Sequence, residues 1–99
     1  MEFCERIWDV IKSVPKGKVT TYMIIANHIG SKAYRAVGNA CNRNRSSDVP
    51  CHRVVRSDGK LGGFNRGSLL KAKILRSEGI DIKNGKINNL DNVMFKFGR

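Results

Sequence analysis

The stretch that decides the fold is TTYMIIANHIGSKAYRAVGNACN, residues 20–42. Residues Tyr22 to His28 carry apolar side chains at helical spacing, and a threonine stands before them to cap the helix. Gly30 predicts the end of that helix, because glycine favours the position after a helix. A second helix is expected from about Lys32 to Asn42. Two short helices joined by a glycine-containing turn are typical of a helix-turn-helix.

Further helices are predicted on both sides of this pair. Upstream, residues 3–14 repeat apolar side chains every three or four positions, which indicates an amphipathic helix that Pro15 ends. Downstream, residues 69–78 predict a last helix capped by Ser68. We expect its buried side to be formed by Leu69, Leu70, Ala72, Ile74 and Leu75.

Short extended segments and turns fill the rest of the chain. Val49 to Val55 is an apolar-flanked segment in which Pro50 blocks continuation of a helix, and the stretch after Cys51 is expected to be strand-like. A β-turn is expected at Ser57–Lys60, and Asn84-Gly85 strongly favours a hairpin. The segment from Asn88 onward is polar and is expected to be loosely tied. The whole pattern predicts a mostly α fold with small β elements.

Length and charge limit the classes of function. The chain has 99 residues, so we expect one domain over 1–99. Its formal net charge of +11 favours a polyanionic partner, most often nucleic acid, over a merely soluble basic protein. No apolar run approaches the length of a bilayer span, and the first residues do not resemble a signal peptide. A cytoplasmic protein without a membrane partner is therefore expected.

The cysteines are expected to be reduced thiols. Their number, three, is odd, and no two have the CxxC spacing. Cys4 and Cys41 fall on apolar helix faces, so we interpret both as core residues. A zinc site built from Cys41, Cys51 and a histidine is an alternative, but its spacing matches no standard ligand pattern.

Cys51 is the candidate nucleophile. His52 and Arg53 follow it directly, and cationic neighbours lower the pKa of a thiol from about 8.5. Neighbouring side chains on an extended chain point in opposite directions, so His52 would act through a water or a bent backbone. Glu78 opposes the dipole at the end of its helix, and His52 is a candidate partner for it. The alternatives are a buried small hydrophobe for Cys51 and a solvated acid for Glu78.

At PCHRV, residues 50–54, the sequence resembles the C-terminal, active-site domain of O6-alkylguanine-DNA alkyltransferases, also called methylated-DNA–protein-cysteine methyltransferases. The resemblance covers about residues 3 to 83. Its other matching motifs are GKVTTY at 17–22, RAVG at 35–38, Asn44, GKLGGF at 59–64 and SEG at 77–79. The family implies a winged helix-turn-helix-like DNA-binding domain that repairs alkylated guanine in double-stranded DNA.

The resemblance also implies residue roles in the reaction. Cys51 would take the alkyl group from guanine O6, and His52 would remove the thiol proton through a water. Glu78 would orient His52, and Asn44 would brace the turn that presents the cysteine. Tyr22 would help to rotate the damaged nucleotide out of the duplex, as enzymes that act on a base require. The product is a thioether, so the protein would be consumed once per lesion, without a cofactor or a metal.

Other matches concern the DNA and the substrate pocket. Arg35 corresponds to the family's arginine finger, which fills the gap left in the base stack. The remaining residues that we assign to DNA contact are Tyr22, Thr21, Ala36 and Arg43. Those assigned to the pocket are Tyr22, Pro50, Val54, Gly63, Phe64 and Asn65. A monomer is expected, and whether copies cluster along the duplex is left open.

The chain departs from the family pattern in two respects. Family members commonly carry an N-terminal α/β domain, and here the first helix begins at residue 3, so that domain is expected to be absent. Asn65 and Arg66 follow the loop aromatic, where the family often has a bulky aromatic or basic residue. Two other functions stay open: an alkyltransferase-like lesion sensor without transfer, against which Cys51 argues, and a plain winged-helix DNA binder.

Overall fold

The computed structural model describes residues 3–30, 34–43, 48–62 and 68–95. Its helices are α1 (Phe3–Lys12), α2 (Tyr22–His28), α3 (Tyr34–Arg43), α4 (Ser68–Ser77) and α5 (Leu90–Val93), with a 3₁₀ turn at Cys51–Arg53. Its strands are β1 (Thr20–Thr21), β2 (Val54–Val55), β3 (Ile82–Lys83) and β4 (Lys86–Ile87). The prediction of a helix-rich chain with small β elements is confirmed.

Helices α1, α2 and α3 pack around the first of two apolar cores. The predicted stripe on α1 is confirmed, because Ile7 and Ile11 are fully buried in this core. Trp8 extends the contact by donating its indole N–H to the carbonyl oxygen of Ala40 on α3, at 3.0 Å. Helix α1 therefore packs against both helices of the helix-turn-helix pair.

Helix α2 begins where the sequence predicts. The Thr21 hydroxyl accepts a hydrogen bond from the Ile24 amide at 3.1 Å, which satisfies one of the helix's unpaired N–H groups. Thr21 also belongs to β1, which pairs in parallel with β2 in the register Thr20–Val54 and Thr21–Val55. This pairing places the start of α2 beside the turn that carries Cys51.

The segment from Val49 to Val55 bends at its centre, before the expected strand-like stretch, which is β2. Cys51–Arg53 form a 3₁₀ turn, in which the Arg53 amide donates to the Pro50 carbonyl oxygen at 2.9 Å. Pro50 has no N–H and a restricted φ, which favours its place at the start of a turn. The β-turn that follows also lies one residue earlier than predicted, because the Gly59 amide bonds to Arg56.

Helix α4 faces the second apolar core with a different side from the one predicted. Leu69 is 89 % exposed and Leu70 36 % exposed, whereas Lys71 is fully buried. Ala72 and Leu75 are buried as expected, and at 100° per residue Lys71 lies on their face while both leucines lie off it. The predicted inward positions of Leu69 and Leu70 are therefore wrong.

The C-terminal segment is tied to the fold more firmly than predicted. Asn84 and Gly85 have φ of +55° and +74°, as the confirmed hairpin between β3 and β4 requires. Beyond it, the Val19 amide donates to Val93 at 2.9 Å, and the Phe95 amide donates to Val19 at 2.7 Å. The prediction of a loose end is thus wrong for residues 88–95. Across the described ranges, no helix is long and apolar enough to span a bilayer.

Candidate active site

The 3₁₀ turn carries three adjacent side chains into different surroundings. Cys51 is 6 % exposed and belongs to the first apolar core. His52 and Arg53 point toward Glu78, which directly follows α4. In a 3₁₀ turn, successive side chains point in three different directions around the axis, whereas in a strand they alternate between two faces. We call the surroundings of Cys51 the thiol compartment, and the surroundings of the Glu78 carboxylate the ionic compartment.

The ionic compartment is centred on the Glu78 carboxylate. Arg53 binds it with both ends of the guanidinium, Nε to Oε1 at 2.9 Å and Nη2 to Oε2 at 2.8 Å. His52 Nε2 lies 2.9 Å from Oε2. A third guanidinium bond, from Nη1 to the Val14 carbonyl oxygen at 2.9 Å, anchors the group to the loop after α1. The predicted contact between His52 and Glu78 is present, and Arg53 is the partner that the sequence did not suggest for Glu78.

These contacts set the charge states of the pair. Burial by itself raises the pKa of Glu78, but hydrogen bonds from Arg53 and His52 outweigh it, and the pKa is lowered. Burial, together with the charges of Arg53 and Lys71, lowers the pKa of His52, although Glu78 acts in the opposite direction. At neutral pH the carboxylate is ionised and the imidazole is neutral. The Nε2–H then donates to Glu78, which leaves Nδ1 with an acceptor lone pair.

The thiol compartment contains a second cysteine and a lysine. Interaction with the Cys51 thiol, followed by burial, raises the pKa of Cys41 on α3. Lys71 is fully buried, donates from Nζ to the Val54 carbonyl oxygen at 2.7 Å, and interacts electrostatically with both thiols. Burial lowers the pKa of Lys71 to about 8. Lys71 thus places a positive charge near both thiols.

Lys71 was missed in the sequence. Its type suggests solvent exposure, since lysine is almost never fully buried without a partner. The available signal was its position, because it shares a helix face with Ala72 and Leu75. A lysine on that face was a candidate for a buried functional cation.

Tyr22 forms another wall of the thiol compartment. Its ring centroid lies 5.9 Å from Lys71 Nζ. Burial, followed by the nearby thiols, raises the pKa of Tyr22 to about 12, so the hydroxyl stays protonated. Gly62 packs against it: a Cβ there would lie 3.0 Å from the hydroxyl oxygen, and the φ of +75° is one that glycine favours. Tyr22 thus keeps its hydroxyl proton near the two thiols.

The residues assigned to DNA contact have different surroundings. Arg35 and Arg43 are exposed near the two ends of α3, and Ala36 is half-buried. Thr21 is 2 % exposed and uses its hydroxyl as the cap of α2. A direct contact between the Thr21 side chain and DNA therefore does not fit this arrangement.

The residues assigned to the pocket are only partly described. Pro50 is half-buried, and Val54 is fully buried with its side chain in the first core. Asn44, Gly63, Phe64 and Asn65 lie outside the described residues. Within the described part of the chain, no three potential metal ligands lie together, so the alternative zinc site is not formed there.

Comparison with known proteins places this chain in a family. The model of the 6-O-methylguanine DNA methyltransferase DNA-binding domain matches residues 2–80. The chain is 44% identical over 78 residues to the bifunctional transcriptional activator and DNA repair enzyme Ada of Escherichia coli, covering 77% of this chain and 22% of Ada. It is 46% identical over 80 residues to the methylated-DNA–protein-cysteine methyltransferase of Methanosarcina acetivorans, covering 79% and 51%.

Solved structures agree with this relation. Atl1 of S. pombe, in complex with damaged DNA containing O6-carboxymethylguanine, matches with a TM-score of 0.84 and 31% identity over 95% of this chain and 94% of Atl1. OGT of Mycobacterium tuberculosis in complex with DNA matches with a TM-score of 0.75 and 39% identity, covering 79% and 50%. The chain spans about a fifth to a half of the curated relatives that it matches. The chain belongs to the family of the 6-O-methylguanine DNA methyltransferase DNA-binding domain.

Proposed function

We propose that this chain repairs DNA by transferring an alkyl group from guanine O6 to the Cys51 sulfur. The observation that carries the proposal is the bonded series of Arg53, Glu78 and His52 beside the Cys51 turn. A buried imidazole kept neutral by its surroundings and oriented by a carboxylate is suited to act as a general base. The proposal goes beyond family membership, because it assigns roles to these side chains.

In the proposed reaction, the Cys51 thiolate attacks the alkyl carbon in line with the bond to O6. His52 accepts the thiol proton at Nδ1 through a water, while Glu78 holds Nε2–H. The bond from carbon to O6 breaks, and the leaving guanine anion needs a hydrogen-bond donor or a proton. The protonated Tyr22 hydroxyl supplies the donor. A carbon–sulfur bond remains on Cys51, so each chain acts once.

We further propose that α2 and α3 bind DNA as a winged helix-turn-helix, with the β3–β4 hairpin as its wing. Exposed Arg35 lies near the N-terminal end of α3, where such motifs contact the bases. The net charge of +11 supports binding to the phosphates. The damaged nucleotide would leave the stack and reach Cys51, while Arg35 fills its place. Double-stranded DNA with alkylated guanine is the proposed partner, bound by a cytoplasmic monomer.

A second candidate function is lesion binding without transfer. The observation that favours it is the match to Atl1 over nearly the full length of both chains. The two functions differ in the fate of the thiol, because a sensor would release the alkylguanine unchanged. Cys51, with a general base beside it, favours transfer.

Mass spectrometry of the intact protein separates these functions. The full chain is incubated with duplex DNA containing O6-methylguanine and is then weighed. We expect a gain of one methyl group on Cys51, unchanged in Cys4→Ser and lost in Cys51→Ala. Binding to the lesion without a mass change would support the sensor, and no preference for the lesion would leave a plain DNA binder.

The role of Arg35 has its own test. Arg35→Ala should slow methyl transfer from duplex DNA much more than transfer from the free alkylguanine base, because the free base needs no extrusion. Lys12→Ala, which removes an exposed cation from α1, is the matched control. Equal losses on both substrates would contradict the proposed role of Arg35.

A further inference from the structure

The outer face of the β3–β4 hairpin carries lysines in direct register. Lys83 on β3 is the register partner of Lys86 on β4, and Lys86 also forms an antiparallel bridge with Lys60. Register partners on neighbouring antiparallel strands project from the same face, about 5 Å apart. All three lysines are exposed, whereas Ile82 and Ile87 beside them are buried in the second core. We call Lys60, Lys86 and Lys83 the lysine row.

The positive charge of the lysine row is only weakly compensated. Residues 82–87 include no acid, and within the described part of the chain no salt bridge joins a carboxylate to the row. Asp58 attracts Lys60 and Lys86 electrostatically, but its ion pair, at 3.7 Å, is with Arg56. Like charges directly opposite one another destabilise a sheet. The row therefore opposes folding of the hairpin, and a negatively charged partner would relieve that repulsion.

The residue types in the row favour phosphates over a protein surface. Lysine presents a compact, mobile charge that suits a phosphate, and it is depleted at interfaces between proteins. Among residues 82–87, every exposed side chain is polar, so the hairpin offers a protein partner no apolar or aromatic anchor. A series of evenly spaced charges matches the repeated phosphates of a nucleic-acid strand.

We propose that the lysine row binds the phosphate backbone of duplex DNA beyond the part of the duplex that α2 and α3 contact. The inference rests on the proposed function and deepens it, because the family model ends at residue 80, before β3 begins. Lys60 links the row to the active site. Its carbonyl oxygen accepts from the Arg56 amide at 2.9 Å, and Gly62, two residues further on, packs against Tyr22. The segment that carries Lys60 thus continues directly into the wall of the thiol compartment.

Contacts of this kind add affinity without reading sequence or damage, because phosphates are the same at every base pair. Each neutralised phosphate contributes about −0.9 to the slope of log K against log salt concentration, where K is the association constant. Two lysines that each neutralise one phosphate therefore account for about 1.8 of that slope. The preference for damaged over undamaged DNA does not depend on them.

Fluorescence anisotropy of a labelled, undamaged duplex gives K for the full chain between about 50 and 200 mM salt. Lys83→Gln/Lys86→Gln should bind more weakly at low salt, with a slope smaller in magnitude by about 1.8. Its deficit relative to the unchanged chain should therefore shrink about twelvefold across this range. Lys60→Gln, which alters the neighbouring segment instead of the hairpin, should reduce the slope by about 0.9.

The matched control is Lys12→Gln/Lys16→Gln, which also removes two exposed lysines, but from α1 and the loop after it. It should keep the slope of the unchanged chain. Lys83→Arg/Lys86→Arg keeps both charges and should keep the slope as well; loss of the slope there would contradict a role based on charge. Equal slopes for the hairpin glutamine variant and the control would overturn the proposal and leave an acidic protein as the partner of the row.

The same titration with duplex DNA containing O6-methylguanine, in a Cys51→Ala background that blocks transfer, measures the preference for the lesion. We expect the hairpin glutamine variant to keep the ratio of the two affinities, and a changed ratio would overturn the assignment to phosphates. Failure of methyl transfer with the expected slopes would count against the proposed function alone. Equal slopes with intact methyl transfer would count against the lysine row alone.

Discussion

The buried ammonium of Lys71 makes the stability of this protein depend on pH in a calculable way. The pKa is lowered from 10.5 to about 8 by burial, so the folded state releases the proton before the unfolded state does. Between about pH 8 and 10.5 the unfolded chain binds more protons, and the free energy of unfolding therefore rises with pH. At about 1.4 kcal/mol per pH unit, the total rise is about 3 kcal/mol.

Lys71→Met isolates this contribution, because methionine has a similar volume and does not titrate. At pH 7 the variant avoids burial of the charge but loses the bond to the Val54 carbonyl oxygen, which costs about 1.5–3 kcal/mol. We expect the two proteins to differ by less than about 2 kcal/mol there. At about pH 10.5 the unchanged protein should have gained about 3 kcal/mol relative to the variant.

Urea unfolding under reducing conditions, followed by the fluorescence of Trp8, the single tryptophan, measures the difference at each pH. Titration of groups that do not interact with Lys71 cancels in that difference. Lys73→Met, which removes an exposed lysine from the same helix, is the control and should give a difference independent of pH. If the curves for Lys71→Met and the unchanged protein run parallel from pH 7 to 10.5, the reasoning about burial of Lys71 is refuted.

Three further substitutions test the elements around the site. Gly62→Ala should lower the free energy of unfolding in urea by about 1–2 kcal/mol, because the φ of residue 62 is positive. It should also slow alkyl transfer, because the added Cβ would displace the Tyr22 ring. An unchanged rate would show that the reaction tolerates this displacement. Thr20→Val should stabilise the fold by about 1 kcal/mol, because the buried Thr20 hydroxyl has no hydrogen-bond partner among the described residues. Thr21→Val should destabilise the fold by about 1 kcal/mol, because it removes the cap of α2. Equal changes of the melting temperature in the two variants would contradict both assignments. Arg53→Lys keeps the positive charge but loses the bidentate bond to Glu78, so the free energy of unfolding should fall by about 3 kcal/mol in the same assay. A fall of less than about 1 kcal/mol would mean that the guanidinium geometry is unimportant.

Local chemistry was sufficient to predict the first half of the fold. The apolar spacing on α1 and the cap on α2 are properties of a few neighbouring residues, and the structure contains both as predicted. The hairpin at Asn84-Gly85 was predictable for the same reason, since its turn type is set by two residues. Such features depend little on the rest of the chain.

The errors arose where distant parts of the chain decide the outcome. The inward face of α4 is chosen by the second core, and a helix with leucines on two sides does not reveal which side that core will cover. Arg53 was interpreted as a local cation for the thiol, but Glu78, 25 residues away, binds it more closely. Cys41 packs on the first core as predicted, but its interaction with Cys51 arises only from the tertiary fold.

The backbone bonds on either side of Val19 connect the C-terminal segment to the strand that leads into α2. Undocking of residues 93–95 would release the Val19 amide before the rest of the core opens, so hydrogen exchange at that single amide reports whether the segment is attached. A label attached at residues 93–95 would therefore act on the same strand that presents Tyr22. The exposed surface of α4 is a safer position for a label.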